Sequence, residues 1–520
     1  QVQPAQPAVE LYRRLSTVGL DPERVFQVRE AALDRDAVHL AFNDGTIAFT
    51  RSVEGRITGA FFEGEGEILL MPPDKVERAS LALFTGAPIL SERFSSAYLR
   101  FNDETFEELR PYLRASDGPH QFVARWNAAA ASLAESDALR LLVGFLNRES
   151  ASSSGRMLHA RVSGNALGTF DVRFDELFAE QVTAGQVGFQ EGRLFFNLWT
   201  SFPTRAARNL GKNREVASVF AAEEAVRIAS YRIRAEVVPP EDLEAEAVLT
   251  LHVAESGRRA FGFELSRFLK VRSVTVGGQP VEFIHNDAVQ GTALARRGND
   301  LLVVILPRPF PAPGTLELRF SYGGKVLSDA GGGLLHVGAR GTWYPNRGLA
   351  MADYELEFRH PPDWILIATG RRVAMEEDGG RQVSRWRSDR PIPVAGFNLG
   401  RYVAATARAG DTLIETYATR GMEGSFATAP MAVPATPSAA TKIPVYRGRR
   451  ADEGSQPMLV LPPPPDPARN AQEVANRAAH TVEFLAKRLG PFPYSRLSLA
   501  QMPGRTSQGW PGLVFLSSYA

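Results

Sequence analysis

Leu489-Gly490-Pro491-Phe492-Pro493-Tyr494 is the stretch on which the fold of this 520-residue sequence turns, together with three segments after it: the apolar run Leu497–Gln501, then Pro503-Gly504-Arg505-Thr506-Ser507-Gln508-Gly509-Trp510-Pro511-Gly512, then a second apolar run, Leu513–Leu516. Upstream, Val474, Ala478, Thr481, Val482, Leu485 and Leu489 recur every three or four residues, the spacing of one apolar face of a helix. Asn470 is placed to cap that helix. Gly490-Pro491 is placed to stop it, glycine by taking a positive φ and proline by lacking an N–H. Helix, strand, glycine turn and strand predict the opening of an α/β layer over 471–520, interrupted at Ala520.

Working backwards, 419–470 changes character. Ala427–Ala440 is rich in Ala, Pro, Thr and Ser, and Pro462-Pro463-Pro464-Pro465 comes after it. Such sequence favours extended geometry and buries little apolar surface, so it is expected to link. Residues 226–418 are strongly β. Tyr231–Val238, Ala245–Val253, Ala260–Leu265, Val271–Val276, Leu301–Leu306 and Thr315–Tyr322 are short alternating runs with Gly, Pro or Asn-Asp between them, the pattern of packed sheets. A connecting helix is expected over 206–225. Residues 1–205 read as α+β: strands broken at Asn43-Asp44-Gly45 by a hairpin turn, a helix over Phe106–Leu113 capped by Asn102 or Asp103, a helix over Asp137–Asn147, then four more strands.

The totals bound the function. With no cysteine there is no disulfide, thiolate ligand or cysteine nucleophile. A net charge of +1 gives no field for nucleic acid or an anionic membrane. No apolar run is long enough to span a bilayer. The start Gln1-Val2-Gln3-Pro4-Ala5, small and polar without an initiator Met, is what either signal removal or artificial trimming of a longer chain would leave, and export is the expectation taken. Glu63-Gly64-Glu65-Gly66-Glu67 lacks the register of a calcium loop and reads as solvated charge along a strand. His39, His120 and His159 are scattered, and His252, His285, His336 and His360 lack metal-ligand spacing. Trp343-Tyr344-Pro345-Asn346 and His360-Pro361-Pro362-Asp363-Trp364 read as buried aromatics at sheet corners before they read as a sugar platform.

The order of these features resembles the aminopeptidase N-like zinc metallopeptidases (gluzincins, membrane alanyl aminopeptidase type). Asp300–Pro307, Leu318-Arg319-Phe320-Ser321-Tyr322-Gly323-Gly324, Trp343-Tyr344-Pro345-Asn346 and Phe397-Asn398-Leu399-Gly400-Arg401-Tyr402 match that family's N-terminal saddle. The stretch from Leu489 to Ser517 is similar to the opening of its thermolysin-like catalytic domain. The match covers about 226–520, with no counterpart for 1–205. The implied architecture is mainly β with α+β: an N-terminal α+β domain (1–205), a connecting helix (206–225), a saddle-like β-sandwich (226–418), a linker (419–470) and the incomplete start of a thermolysin-like α/β domain (471–520).

The resemblance implies peptide hydrolysis, with zinc held by two histidines of a His-Glu-x-x-His helix and a distant glutamate. No His-Glu-x-x-His occurs in the 520 residues. Zinc is therefore expected in the full-length family member and not in this chain, which is expected to have no catalytic residue and no turnover. In the family a Gly-x-Met-Glu-Asn segment precedes the substrate strand, its glutamate holding the peptide's free amino group. Here Thr506-Ser507-Gln508-Gly509-Trp510 stands there, with Gly509 at the glutamate position. Ser507, Gln508, Gly509, Trp510 and Gly512 are the expected substrate-side residues, with Leu513–Leu516 as the edge strand a peptide would pair with. The alternative is a non-catalytic binding or scaffolding protein built on the same β domains.

Overall fold

The computed structural model describes residues 8–147, 155–176, 181–190, 193–205, 208, 226–286, 298–311, 313–337, 342–348, 350–424 and 466–518. The helix expected over 206–225 lies outside them apart from Arg208, as does 425–465 of the expected linker. The described architecture is mainly β, in five sheets.

The first sheet has nine antiparallel strands in the spatial order Leu113–Ala115, Leu20–Arg35, Val38–Thr50, Gly59–Leu70, Leu90–Phe101, Met157–Gly164, Gly168–Asp175, Val182–Gln190 and Arg193–Phe202. Strand alternation puts Phe42, Phe49, Phe62, Phe94, Phe170 and Trp199 on one buried face. The other face is covered by the helix Pro119–Leu146, where Trp126 stacks on Phe61 at 4.4 Å. Asn43-Asp44-Gly45 makes no turn. The chain reverses at Asp36-Ala37, with Asp36 at φ 53°, and Val38–Thr50 runs straight through with a bulge. Gly45 is needed instead for close approach: a Cβ there would lie 2.5 Å from the Glu63 carbonyl oxygen. The Phe106–Leu113 helix is shorter than expected, Thr105–Leu109 with one 3-10 turn, and the long helix starts at Pro119, well before Asp137. A further helix, Lys75–Thr85, is capped by Asp74, whose carboxylate accepts from the N–H groups of Val76 and Glu77 at 3.0 Å.

Under the second half of the long helix the sheet face is ionic. His159 Nδ1 sits 2.6 Å from Asp137 of the helix, and its Nε2 sits 3.2 Å from Asp171 on the next strand. Arg161 donates two hydrogen bonds to Asp171, at 2.7 and 2.9 Å, and Arg173 lies 3.1 Å from Asp137. Burial pulls the His159 pKa down, but Asp137 outweighs it and the pKa ends raised. Burial likewise opposes ionisation of Asp137 and Asp171. The surrounding cations overcome it and hold both well below the carboxylate range.

An eight-stranded sheet comes next, in the order Gln279–Pro280, Leu269–Val276, Gly314–Lys325, Asp242–Val253, Val226–Val238, Asp353–His360, Arg381–Arg387 and Arg371–Asp378. Its inner face packs on a three-stranded sheet (Ala260–Ser266, Asn299–Ile305, Glu282–Asn286) and a four-stranded one (Leu327–Gly331, Leu334–Val337, Phe397–Gly400, Ile365–Ala368). Trp343 and Tyr344 are wholly buried here, and the indole N–H of Trp343 donates to the Ala395 carbonyl at 3.0 Å. They are core, as their corner position suggested, and offer no sugar platform.

The last sheet runs Tyr402–Ala409, Thr412–Thr419, Arg496–Met502, Leu513–Ser517 and Gln508–Trp510. Thr412–Thr419 pairs in parallel with Arg496–Met502, which pairs in parallel with Leu513–Ser517. A parallel pair needs a crossover, and the helix Ala471–Leu489 lies on that connection. The terminal α/β layer thus begins at Tyr402, within the stretch expected to be saddle, because two of its strands come from there. The helix buries Ala471, Ala475, Ala479 and Val482, the last two against Ile414 and Leu499. Val474 and Ala478 pack partly, but Leu485 and Leu489 are exposed, so the real stripe is narrower and smaller than the expected one. Gly490, at φ 91° and ψ 175°, ends it in a conformation open only to glycine, extended in ψ as the following proline demands.

Candidate substrate groove

The groove forms where the edge of the terminal sheet meets the four-stranded sheet. Leu513–Ser517, expected as the edge, is an interior strand. Gln508–Trp510, read from sequence as part of a glycine turn, folds back antiparallel on it and takes the edge itself. The reason is Gly512: at φ 67° it makes a tight reversal that L side chains resist, and its carbonyl accepts from Ser498 N–H at 3.0 Å. Gly512 therefore serves the turn.

Of the expected site residues, the fold brings Gln508 and Trp510 into one pocket, with His336, Val337, Gly396, Phe397, Asn398, Met502 and Phe515. Trp510 meets Phe515 edge-on at 5.9 Å and lies so close over Gly396 that a Cβ there would come 3.0 Å from its ring. Gly509 is exposed, and a Cβ on it would meet nothing within 4 Å. Ser507 is not among the pocket's lining residues; its Oγ accepts from Ser517 N–H at 3.0 Å and closes the hairpin mouth.

The pocket's second wall is not marked as such in the sequence. Phe397 and Asn398 stand there only as part of the saddle-like run Phe397–Tyr402, and His336 only as one of several scattered histidines. Asn398 is buried and donates its amide to the Gln501 carbonyl at 3.1 Å, while its Oδ1 has no hydrogen-bond partner among the described residues. The Tyr402 hydroxyl donates to the same carbonyl at 3.0 Å, and burial pushes this phenol far above its usual range. The loop before the edge strand is held by Glu423, a buried carboxylate that accepts from Gly504 N–H at 3.0 Å. The segment carrying Glu423 packs in turn on the glycine hairpin Gly331-Gly332-Gly333. Gly332, at φ 65°, approaches the Met422 carbonyl so closely that a Cβ would fall 2.5 Å from it.

The described residues do not fit a zinc site: no three His, Asp or Glu side chains among them converge to hold a metal. No helix of the described residues is long and apolar enough to cross a membrane.

No family model matches the chain. No curated protein matches it either. Among solved structures it is similar to the M1 zinc metallopeptidase from Deinococcus radiodurans, at 17% identity over 57% of this chain and 61% of that one, with a TM-score of 0.39. A point mutant of that enzyme gives 16% identity, 57% and 62% coverage, and a TM-score of 0.39. A two-domain M1 zinc metallopeptidase mutant bound to L-arginine gives 16%, 57% and 61%, with a TM-score of 0.40. The chain spans about three fifths of the length of these structures. Likeness this loose assigns no activity to it.

Proposed function

We propose that this chain is the N-terminal part of a divergent zinc metallopeptidase of the aminopeptidase N-like class, and that its groove binds an extended peptide. One observation carries the reading. A short edge strand, Gln508–Trp510, stands beside a pocket whose other wall belongs to the β-sandwich, so a peptide added to the edge meets side-chain subsites from two sheets. The order of motifs along the sequence supports the class. Within this chain the work is binding and orienting. Backbone groups on the open side of the edge strand align the peptide, and Trp510, Phe397 and Phe515 supply an apolar contact for alternate side chains.

Gly509 at the position of the family's amino-binding glutamate, and an N-terminal α+β unit without a family counterpart, favour a second reading, a peptide-binding scaffold without hydrolysis. Both readings share the groove. Saturating an apolar, strand-forming peptide should slow amide exchange in Gln508–Trp510, and unchanged exchange there would refute both. Zinc measured in the full-length protein, with or without peptide-amide turnover, separates them.

A further inference from the structure

From the open edge of the eight-stranded sheet we infer that this chain pairs with a second copy of itself, Arg371–Asp378 against Arg371–Asp378, antiparallel. A row of unpaired backbone N–H and C=O groups is a template for another strand, and several edges of this molecule are blunted against it. The far edge of the same sheet, Gln279–Pro280, is two residues long and holds a proline. One edge of the nine-stranded sheet is the three-residue Leu113–Ala115. At its other edge, Arg193–Phe202, the Glu77 carboxylate of the helix Lys75–Thr85 accepts from the Ser201 N–H at 3.0 Å. Arg371–Asp378 differs. It is eight residues long without Lys or Pro, pairs with Arg381–Arg387 on one side, and has no described strand on the other. Val373, left out of the ladder by a bulge, and Met375 are each 47% exposed.

The occupant follows from the order of charge along the strand, Arg371-Arg372-Val373-Ala374-Met375-Glu376-Glu377-Asp378. A copy turned end for end about Ala374 brings its Glu376-Glu377 against Arg371-Arg372 and its Met375 against Val373. The two-fold repeats each contact. A parallel copy would set arginine beside arginine and acid beside acid, so charge selects the antiparallel arrangement. Arg371, which lies 3.6 Å from Asp389, and Glu376, which lies 2.7 Å from Arg385, are both half-exposed, and Glu377 is exposed, so each can reach across the seam. Because the strand meets itself, the pairing closes at two copies. One strand edge covers little area, so the dimer is weak and reversible.

The test is sedimentation velocity of the full chain over a concentration series, with amide exchange read at Arg371–Asp378. Dimer should grow with concentration, and exchange in that strand should slow in step. Arg371→Glu/Arg372→Glu makes both ends of the strand acidic, and Glu376→Arg/Glu377→Arg makes both largely basic. Each should weaken self-association about tenfold or more, because like charges then meet. Mixed in equal amounts, the two variants should pair with each other at least as tightly as the unaltered chain does with itself, an outcome that misfolded variants would not give. A chain that stays monomeric across the series would overturn the inference. So would a mixture of the folded variants that fails to pair. A dimer that both variants keep, or whose formation leaves exchange at Arg371–Asp378 unchanged, would put the contact elsewhere and overturn it equally.

Discussion

Asp137→Asn is the sharpest perturbation of the first unit. The substitution keeps size and removes one charge from a side chain wholly sealed between helix and sheet. In the native arrangement that charge faces His159 at 2.6 Å and Arg173 at 3.1 Å. Without it, His159 stays buried with only Asp171 beside it while the partly exposed Arg173 loses its carboxylate, and breaking a buried pair from one side costs about 3–5 kcal/mol. At ~1.4 kcal/mol per decade, local opening of the helix from the sheet should rise by about 10²–10³-fold or more. Because a chain of several units need not unfold in one step, the measurement should be local. Hydrogen exchange of the Met157–Gly164 and Gly168–Asp175 amides is the assay. Asp137→Asn/His159→Gln, which removes both members, should recover a coupling energy of ~0.5–3 kcal/mol. Protection of these strands within about threefold of the unaltered chain would refute the claim that the ion cluster holds the helix.

Other outcomes rest on the same geometry. His159 is raised above the ordinary 6.5, so its contribution is complete below that value and is lost as pH climbs through the folded pKa. Exchange protection of this region should therefore fall on the alkaline side of neutrality, less so in His159→Gln. The groups facing His159 are Asp137 from the helix, Asp171 and Arg173 from one neighbouring strand, Arg161 from its own, and Tyr98 and Arg100 from the other. Asp137 and Asp171, both depressed, contribute above about 3.8 and fail as acid protonates them, so protection should also fall in strong acid. Gly512→Ala forces a methyl into the left-handed turn that sets the edge strand, and should cost about 1–2 kcal/mol in local opening by exchange at Leu513–Ser517. Glu423→Ala should loosen the Pro503–Ser507 loop, read as faster exchange at Gly504, and weaken peptide binding without disturbing the sandwich. Turnover of aminoacyl amides by the 520-residue chain should stay at background with or without zinc, and chelator-sensitive hydrolysis would refute that.

Alternation made the sandwich legible: Tyr231, Ile233, Ala235 and Val237 declare a buried face by period two alone. The terminal helix and its stop at Gly490 were equally plain, though Asn470 makes no side-chain cap bond and the buried stripe stops short of Leu485 and Leu489. The edge strand was not. Gln508-Gly509-Trp510 is three residues long and sits in a run of turn formers, and only its partner Leu513–Ser517, folded back through Gly512, makes it a strand. Asn43-Asp44-Gly45 failed the other way, because a local turn preference yielded to a long register with Gly59–Leu70 on one side and Leu20–Arg35 on the other. The pocket's second wall and the His159 cluster join residues far apart in sequence, and nothing local marks such pairs.

The parallel pairing of Thr412–Thr419 with Arg496–Met502 has a consequence for how the molecule is assembled. Thr412–Thr419 must wait during synthesis until its neighbour emerges many residues later, so the last sheet closes late. Once closed, the two strands are joined by a parallel ladder and a shared core as well as by the chain between them, so the terminal sheet is tied to the sandwich through space as much as through sequence.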